Sequence, residues 1–468
     1  MATETAPPHP KALFSNLSRE HDYEPAEVEG QLPEHMQGTL YRNGIGLMDL
    51  FGRRYEHLFE ADGAISAFRF DEGRVASSSR IVESRALREE RRKGRHLSSM
   101  NAGWLDRIRC AFGAGYKNTA NTNVVAHEGE LLALMEGGLP TRVDAETLAT
   151  IGECDLGAID GTFSAHPHRN SSRKSLYNFG FQFGKVTNLV VYALKDMGEL
   201  EVLCRVPIDS PLMVHDFAVS ENHLVFFLCP LKFKIWRIML ALKGFEKNLS
   251  WNPELGTEVV VIPIDEPSRV TRFHVEPFLA MHFAGAFEVG PNLFVDYVRY
   301  PNAELLGALG DGRGLSWSEG ELSAPPGKLC RATISLEDES FESRARLEIG
   351  CEFPRLAPGE EGRRFENVWL QTELYVDGVL RFQVSRIDSD DNVTHHRLGA
   401  GEQCSEPVVV EDGHGRAASV VSLVFDAKKS ASHLLVLDAY SLEFQAKVRL
   451  VQPIPLTFHG NWVPAGAR

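Results

Sequence analysis

The sequence predicts an all-β protein of closed or radial architecture, and three observations carry that expectation. Short apolar runs recur at 131–135, 175–183, 189–194, 223–228, 293–298, 420–425 and 433–437. Each is rich in Val, Leu, Phe or Tyr and bounded by Gly, Asn, Asp or Ser, as strands between turns are. Long helical periodicity is scarce. No Gly/Ser linker and no abrupt change of composition divides the 468 residues, so one large domain is expected where length alone suggests two or three. No fixed repeat is visible, so the number of blades is not readable from the letters.

Composition excludes several classes. Hydrophobic residues are 43% and charged residues 24%, ordinary globular values that rule out wholesale disorder. A net charge of −15 argues against a nucleic-acid binder, which needs a basic footprint. No apolar run reaches the ~18 residues of a membrane-spanning helix. The first ten residues carry neither a basic nor an apolar stretch of the secretory kind. Seven cysteines, widely spaced and without a CxxC, point away from a disulfide framework or zinc cage and toward a reducing cytosol.

Along the chain, residues 1–11 read as a disordered tail and residues 12–468 as the single domain. Two segments break the strand pattern. At 88–117 a basic cluster (Arg91, Arg92, Lys93, Arg95) precedes Trp104, Leu105, Ile108 and Phe112. It reads as a solvated loop leading into a short helix, or as a membrane contact. At 231–247, LKFKIWRIMLALKGFEK, five basic residues face one acid. Phe233, Ile235, Trp236, Ile238, Met239, Leu240 and Leu242 lie between them. A basic amphipathic segment with aromatic residues reads as membrane-surface attachment. The alternative is a core helix flanked by snorkelling lysines.

Of seventeen histidines, four stand at the edges of apolar runs: His166 in SAHPH, His215 in PLMVHDFAV, His282 in FLAMHFAGAFE and His459 in LTFHGNWVP. Their spacing is far too wide for one helix to gather them, unlike HExxH. A radial fold can still bring distant strands to one axis. Glu136, Glu352 and Glu406 share the apolar setting. A buried carboxylate needs a partner, and a metal-ligating imidazole needs a carboxylate or carbonyl for its second nitrogen. Taken alone, these residues read sooner as ordinary core histidines and as separate surface or salt-bridged acids than as a metal site.

The ordered set of motifs resembles the carotenoid cleavage oxygenase family. RNG at 42–44, HLFEADGAISAFRF, NTANTNVVAHEGELLALMEGGLPTRVDAETLATIG, FSAHPHRN, SLYNFGF, VHDFAVSENHLVFF, MHFAGAFE, CEFPRL, SEPVVV and FHGNWVP follow in family order from about residue 30 to 464. The resemblance implies a seven-bladed β-propeller with a helical and loop dome over one face. It implies one non-haem Fe(II) on the axis, held by His166, His215, His282 and His459. Glu136, Glu352 and Glu406 would orient those rings from behind. It further implies a hydrophobic tunnel opening onto a membrane. Imidazole suits iron, and four neutral ligands leave open positions on an octahedral ion.

Three positions depart from the family's usual letters: His168 where lysine is common, Gly285 where asparagine is common, and Ala61 in place of a glycine. Stilbene-cleaving members carry a lysine just before the first glutamate. Here that position is Met135, which suits a polyene better than a phenol. The resemblance therefore implies a cytoplasmic, peripherally membrane-associated dioxygenase. It would cleave one C=C bond of a carotenoid or apocarotenoid with O2 into two carbonyl products. A stilbenoid cleaver, a non-oxidative retinoid-type isomerase and a non-catalytic lipid-binding propeller stay open.

Overall fold

The computed structural model describes residues 10–115, 117–196, 198–310 and 324–466. All seven apolar runs lie in or across strands, with His223–Leu228 coinciding with its run. The protein is an all-β propeller. Five blades are separate four-stranded antiparallel sheets, and a sixth sheet has ten strands.

Within a blade the strands follow one another in chain order. The fourth shows the pattern: Leu279–Val289, Asn292–Tyr300, Lys328–Ser335, Ser340–Ala345. Its first strand is buried over nine successive residues. Its last alternates exposed and half-buried. An unbroken apolar strand packs on both faces, whereas an alternating one has a wet side. The first strand therefore sits innermost and the last at the rim.

The ten-stranded sheet joins the two ends of the chain. His21–Gly30 pairs with Phe444–Arg449 through Glu27–Gly30 and with Arg74–Ile81 through His21–Ala26. The last strand, Thr457–Pro464, pairs with Gly38–Leu47, setting Arg42 opposite Gly460. That pairing requires glycine: a Cβ on Gly460 would lie 2.1 Å from the Tyr41 carbonyl oxygen, and one on Gly44 would lie 2.3 Å from that of Leu456. The two motifs RNG and FHGNWVP are thus the two sides of one contact.

Helices are few and short. The basic cluster expected in a loop lies instead in and just beyond the helix Arg85–Lys93. Ser84 Oγ accepts from Leu87 N, Leu87 is buried, and Gly94 ends the helix at φ 63°. Arg91, Arg92 and Lys93 occupy its last turn, where cations oppose the helix dipole. The short helix Trp104–Arg109 follows as expected. The 231–247 segment is inserted in the third blade, framed by the hairpin Leu231–Phe233 with Leu249–Trp251. It is no core helix: Ile235–Met239 buries none of its residues. The expected tail falls outside the described residues as far as residue 9. Pro10 is buried and Lys11 opens the turn Lys11–Phe14.

Candidate metal centre

Six of the seven site residues sit on or just before the innermost strand of a sheet, and Glu136 lies in the turn after Glu130–Leu134. His166 precedes the first strand of the second blade, His168–Asn170, and His215 precedes that of the third, Ala218–Val219. His282 lies within the first strand of the fourth blade and Glu352 within that of the fifth, Gly350–Arg355. Glu406 precedes Val408–Glu411, and His459 lies in the closing strand. Pairing breaks register around His282, after Glu352 and beside His459. Such bulges turn a side chain out of the regular alternation. Phe353, at φ 56°, bends the chain just after Glu352, and its ring lies 5.2 Å from that of His282.

All four histidines are buried, and one potential ligand atom from each lies within 4.8 Å of the others. His215 Nε2 stands 3.2 Å from His282 Nε2. Two imidazole nitrogens sharing one ion at a bond length of about 2.1 Å come this close. Burial pushes the His166 imidazole far below its usual value, and the neighbouring histidines add to that. Burial takes His459 down to about 4 against the pull of Glu406. Both rings are therefore neutral at pH 7, the form that binds metal.

The three glutamates stand behind the rings. Glu352 Oε2 is 2.5 Å from His282 Nδ1, and its other oxygen accepts from the Tyr300 hydroxyl. Glu406 Oε1 is 3.0 Å from His459 Nδ1. Each carboxylate thereby fixes one nitrogen and leaves Nε2 for the centre. Glu136 Oε1 lies 3.2 Å from His215 Nδ1 and 3.5 Å from His166 Nε2. These approaches are within ion-pair reach but off hydrogen-bond direction, so all three atoms lack a hydrogen bond among the described residues. Four buried imidazoles converging on one point fit a metal ion and fit no apolar core. The donor set matches what such an ion needs.

Some partners escaped the sequence reading. Arg42 Nη1 donates to Glu406 Oε2 at 2.5 Å, Arg355 Nη1 to Oε1 at 3.1 Å, and Gly460 N to Oε2 at 3.0 Å. Burial alone would raise the Glu406 carboxyl, but Arg355, His459 and Arg42 hold it well below the usual range. Both arginines stand in motifs already singled out, RNG and CEFPRL; a basic letter set among apolar and glycine residues was the available signal. Asp216 accepts from His168 Nε2 at 2.7 Å and from Phe283 N at 2.8 Å. It clips the chain beside His215 to the chain beside His282, and against burial it holds the His168 imidazole above its usual value. A Cβ at Gly285 would meet the Leu356 side chain at 2.8 Å, and Ala61 is fully buried.

An apolar cavity, open to solvent, reaches His215, His282 and His459. Phe59, Phe353 and Phe458 surround its inner end, and Phe14, Leu380 and Phe382 line it farther out. Met135 does not line it; its sulfur accepts from Thr119 N at 3.4 Å. Of the candidate membrane residues, Ile235, Trp236, Met239 and Leu240 are exposed. Phe233, Ile238 and Leu242 are half-buried, and Phe233 packs on the core. Trp104, Leu105 and Phe112 are also exposed. Arg107 Nε donates to Ala241 O at 2.9 Å, tying the two segments together.

The sequence model of the retinal pigment epithelial membrane protein family matches residues 14–464. The chain belongs to the carotenoid cleavage oxygenase family. Among this family's curated members, it is 28% identical to the apocarotenoid-15,15'-oxygenase of a Synechocystis species, over 96% of this chain and 95% of that protein. It is 26% identical to lignostilbene-alpha,beta-dioxygenase isozyme III of Sphingomonas paucimobilis, again over 96% and 95%. A solved structure of cobalt-substituted Synechocystis apocarotenoid oxygenase superposes with a TM-score of 0.88 at 27% identity, covering 97% of this chain and 99% of that one.

Proposed function

We propose that this protein is a non-haem Fe(II) dioxygenase that cleaves one C=C bond of a carotenoid or apocarotenoid with O2, giving two carbonyl products. One observation carries the reading: four buried, mutually close histidines stand at the inner end of an apolar cavity. His166, His215, His282 and His459 are the ligands; Glu136, Glu352 and Glu406 orient them. The cobalt-substituted relative supports a divalent ion at such a site. Iron, when bound, supplies the chemistry that engages O2. The chain supplies the rest. Phe59, Phe353 and Phe458 hold an apolar chain beside the histidines and keep water away. Tyr300, tied to Glu352, keeps the His282 ring from turning. Positioning and a dry, pre-built site are the protein's share of the catalysis.

The architecture supports the same reading. Divided at His21–Gly30, which both halves share, the ten-stranded sheet counts as two blades and the ring as seven, in one domain over 12–468. The short helices at 85–93, 104–109, 235–239 and 304–309 would make the dome. No helix among the described residues is long and apolar enough to cross a membrane, and a peripheral protein needs none. Exposed Trp104, Leu105, Phe112, Ile235, Trp236, Met239 and Leu240 would enter the lipid, flanked by lysines. Phe245 of the same insertion packs against Phe59, whose ring lines the cavity, so the patch and the cavity adjoin. All seven cysteines are free, which supports a reducing, cytoplasmic compartment.

The lignostilbene relative supports stilbene cleavage as a second reading. Iron-loaded protein is incubated in air with apocarotenals, carotenoids and hydroxystilbenes, and products are read by mass spectrometry. Paired carbonyl products from a polyene are expected. Cleavage of stilbenes alone transfers the assignment to the second reading. A polyene isomerised with unchanged mass rejects both.

A further inference from the structure

Three glutamates near the centre have imidazole partners; a fourth carboxyl in the cavity has none. Glu373 lies on the strand Asn367–Val376, opposite Gly350, and Gln371 on the same strand lies opposite Glu352. Residues two apart share a face and stand about 7 Å apart along a strand. Glu373 is therefore set one step farther from the histidines than the carboxylate that holds His282. Both Gln371 and Glu373 line the apolar cavity. Gly350 makes room for the glutamate, since a Cβ there would come within 2.7 Å of Glu373 Cγ.

Three other polar side chains of the cavity are engaged. Thr372 Oγ1 is 2.6 Å from Ser385 Oγ, Thr457 Oγ1 accepts from Arg42, and Tyr300 donates to Glu352. Among the described residues, no donor or cation meets the Glu373 carboxyl. Burial, with the Glu352 carboxylate adding to it, pushes this group up to about 7. It is thus close to half protonated at neutral pH, able to donate to a carbonyl oxygen and to accept from a hydroxyl. A polar group left unpaired in an apolar site discriminates strongly for a ligand that pairs with it.

We propose that Glu373 binds the oxygen-bearing end of the substrate, an aldehyde or hydroxyl on a polyene, and so sets which double bond stands beside the four histidines. This rests on the polyene reading above. The sheet fixes the separation between Glu373 and the histidines, so anchoring one end of a rigid polyene fixes its register.

The test uses iron-loaded protein, a ring-capped polyene aldehyde and the hydrocarbon of the same length. Turnover is measured for both, and equilibrium binding by quenching of intrinsic fluorescence. In Glu373→Leu the aldehyde-to-hydrocarbon ratio of kcat/KM should fall at least about tenfold, the loss of one buried hydrogen bond. The aldehyde Kd should weaken in proportion, products should spread over more than one bond, and iron content should hold. Glu373→Gln, which keeps a donor and an acceptor, should retain most of the preference. An unchanged ratio, or equal loss on both substrates, overturns the proposal. Should Glu373→Leu not fold, Gly350→Ala displaces the side chain and must lower the same ratio. If the wild type cleaves no polyene, the functional reading falls, and the binding ratio alone decides the role of Glu373.

Discussion

Glu406 and Glu136 stand behind the same ring of histidines, yet one is clamped and the other is loose. Glu406 is fully buried between Arg42, Arg355, His459 and the Gly460 amide. Glu136 is 27% exposed and approaches two imidazoles without a good hydrogen bond to either. The difference follows from where they stand. Glu406 lies at the seam where Thr457–Pro464 meets Gly38–Leu47, so a buried arginine, a half-buried one and a strand end converge on it. Glu136 lies in a turn after the strand Glu130–Leu134, with no Lys or Arg paired to it among the described residues. On one side of the centre the carboxylate is clamped by the fold itself; on the other it is not.

Breaking the clamp should have the largest effect. Glu406→Ala leaves the buried Arg42 guanidinium without a carboxylate partner, and should cost about 3–5 kcal/mol of stability along with metal binding. Thermal unfolding and metal analysis read both losses. Arg42→Met keeps Arg355 on the carboxylate, so a loss of about 1.5–3 kcal/mol is expected, that of a charged hydrogen bond. A drop as large as that of Glu406→Ala would mean that Arg355 carries none of the clamp.

Loosening the other side should act on the metal alone. Glu136→Gln should weaken metal affinity about 10–100-fold and leave metal-free stability within about 0.5 kcal/mol. Metal removal should lower amide protection around residues 136–140 more than in Thr457–Pro464, as hydrogen exchange with and without the ion would show. Equal loss of protection in both segments would end the distinction between a built and a loose side.

The effect that is smallest at neutral pH concerns the sheet behind the clamp. His433, buried opposite Arg449 and Val424, is held neutral by burial, with Lys447 adding to it, down to about 3. Its unfolded value is about 6.5. The unfolded chain binds the extra proton between these values, so stability is complete above about pH 6.5 and declines as pH falls toward 3. His433→Asn should flatten that part of the unfolding profile.

Much of this was legible in the letters. Strands at 175–183 and 223–228 follow from apolar runs that turn residues interrupt, because local pattern decides strand from helix. The basic cluster at 91–95 misled, because a serine cap and one buried leucine outweighed its charge. Met135 misled as well: its neighbours in sequence suit a cavity wall, but its sulfur turns to Thr119. Glu373 was invisible, since nothing in QTELYV distinguishes it from a surface acid.

By itself the sequence determined the strand content, the family and the identity of the four histidines and three glutamates, since these depend on local pattern and ordered motifs. Tertiary structure alone decided that residues as far apart as His166 and His459 share one centre, that Arg42 meets Glu406, and that Glu373 faces the cavity. Those are consequences of strand pairing and register, and a one-residue shift in register turns every side chain of a strand to its other face.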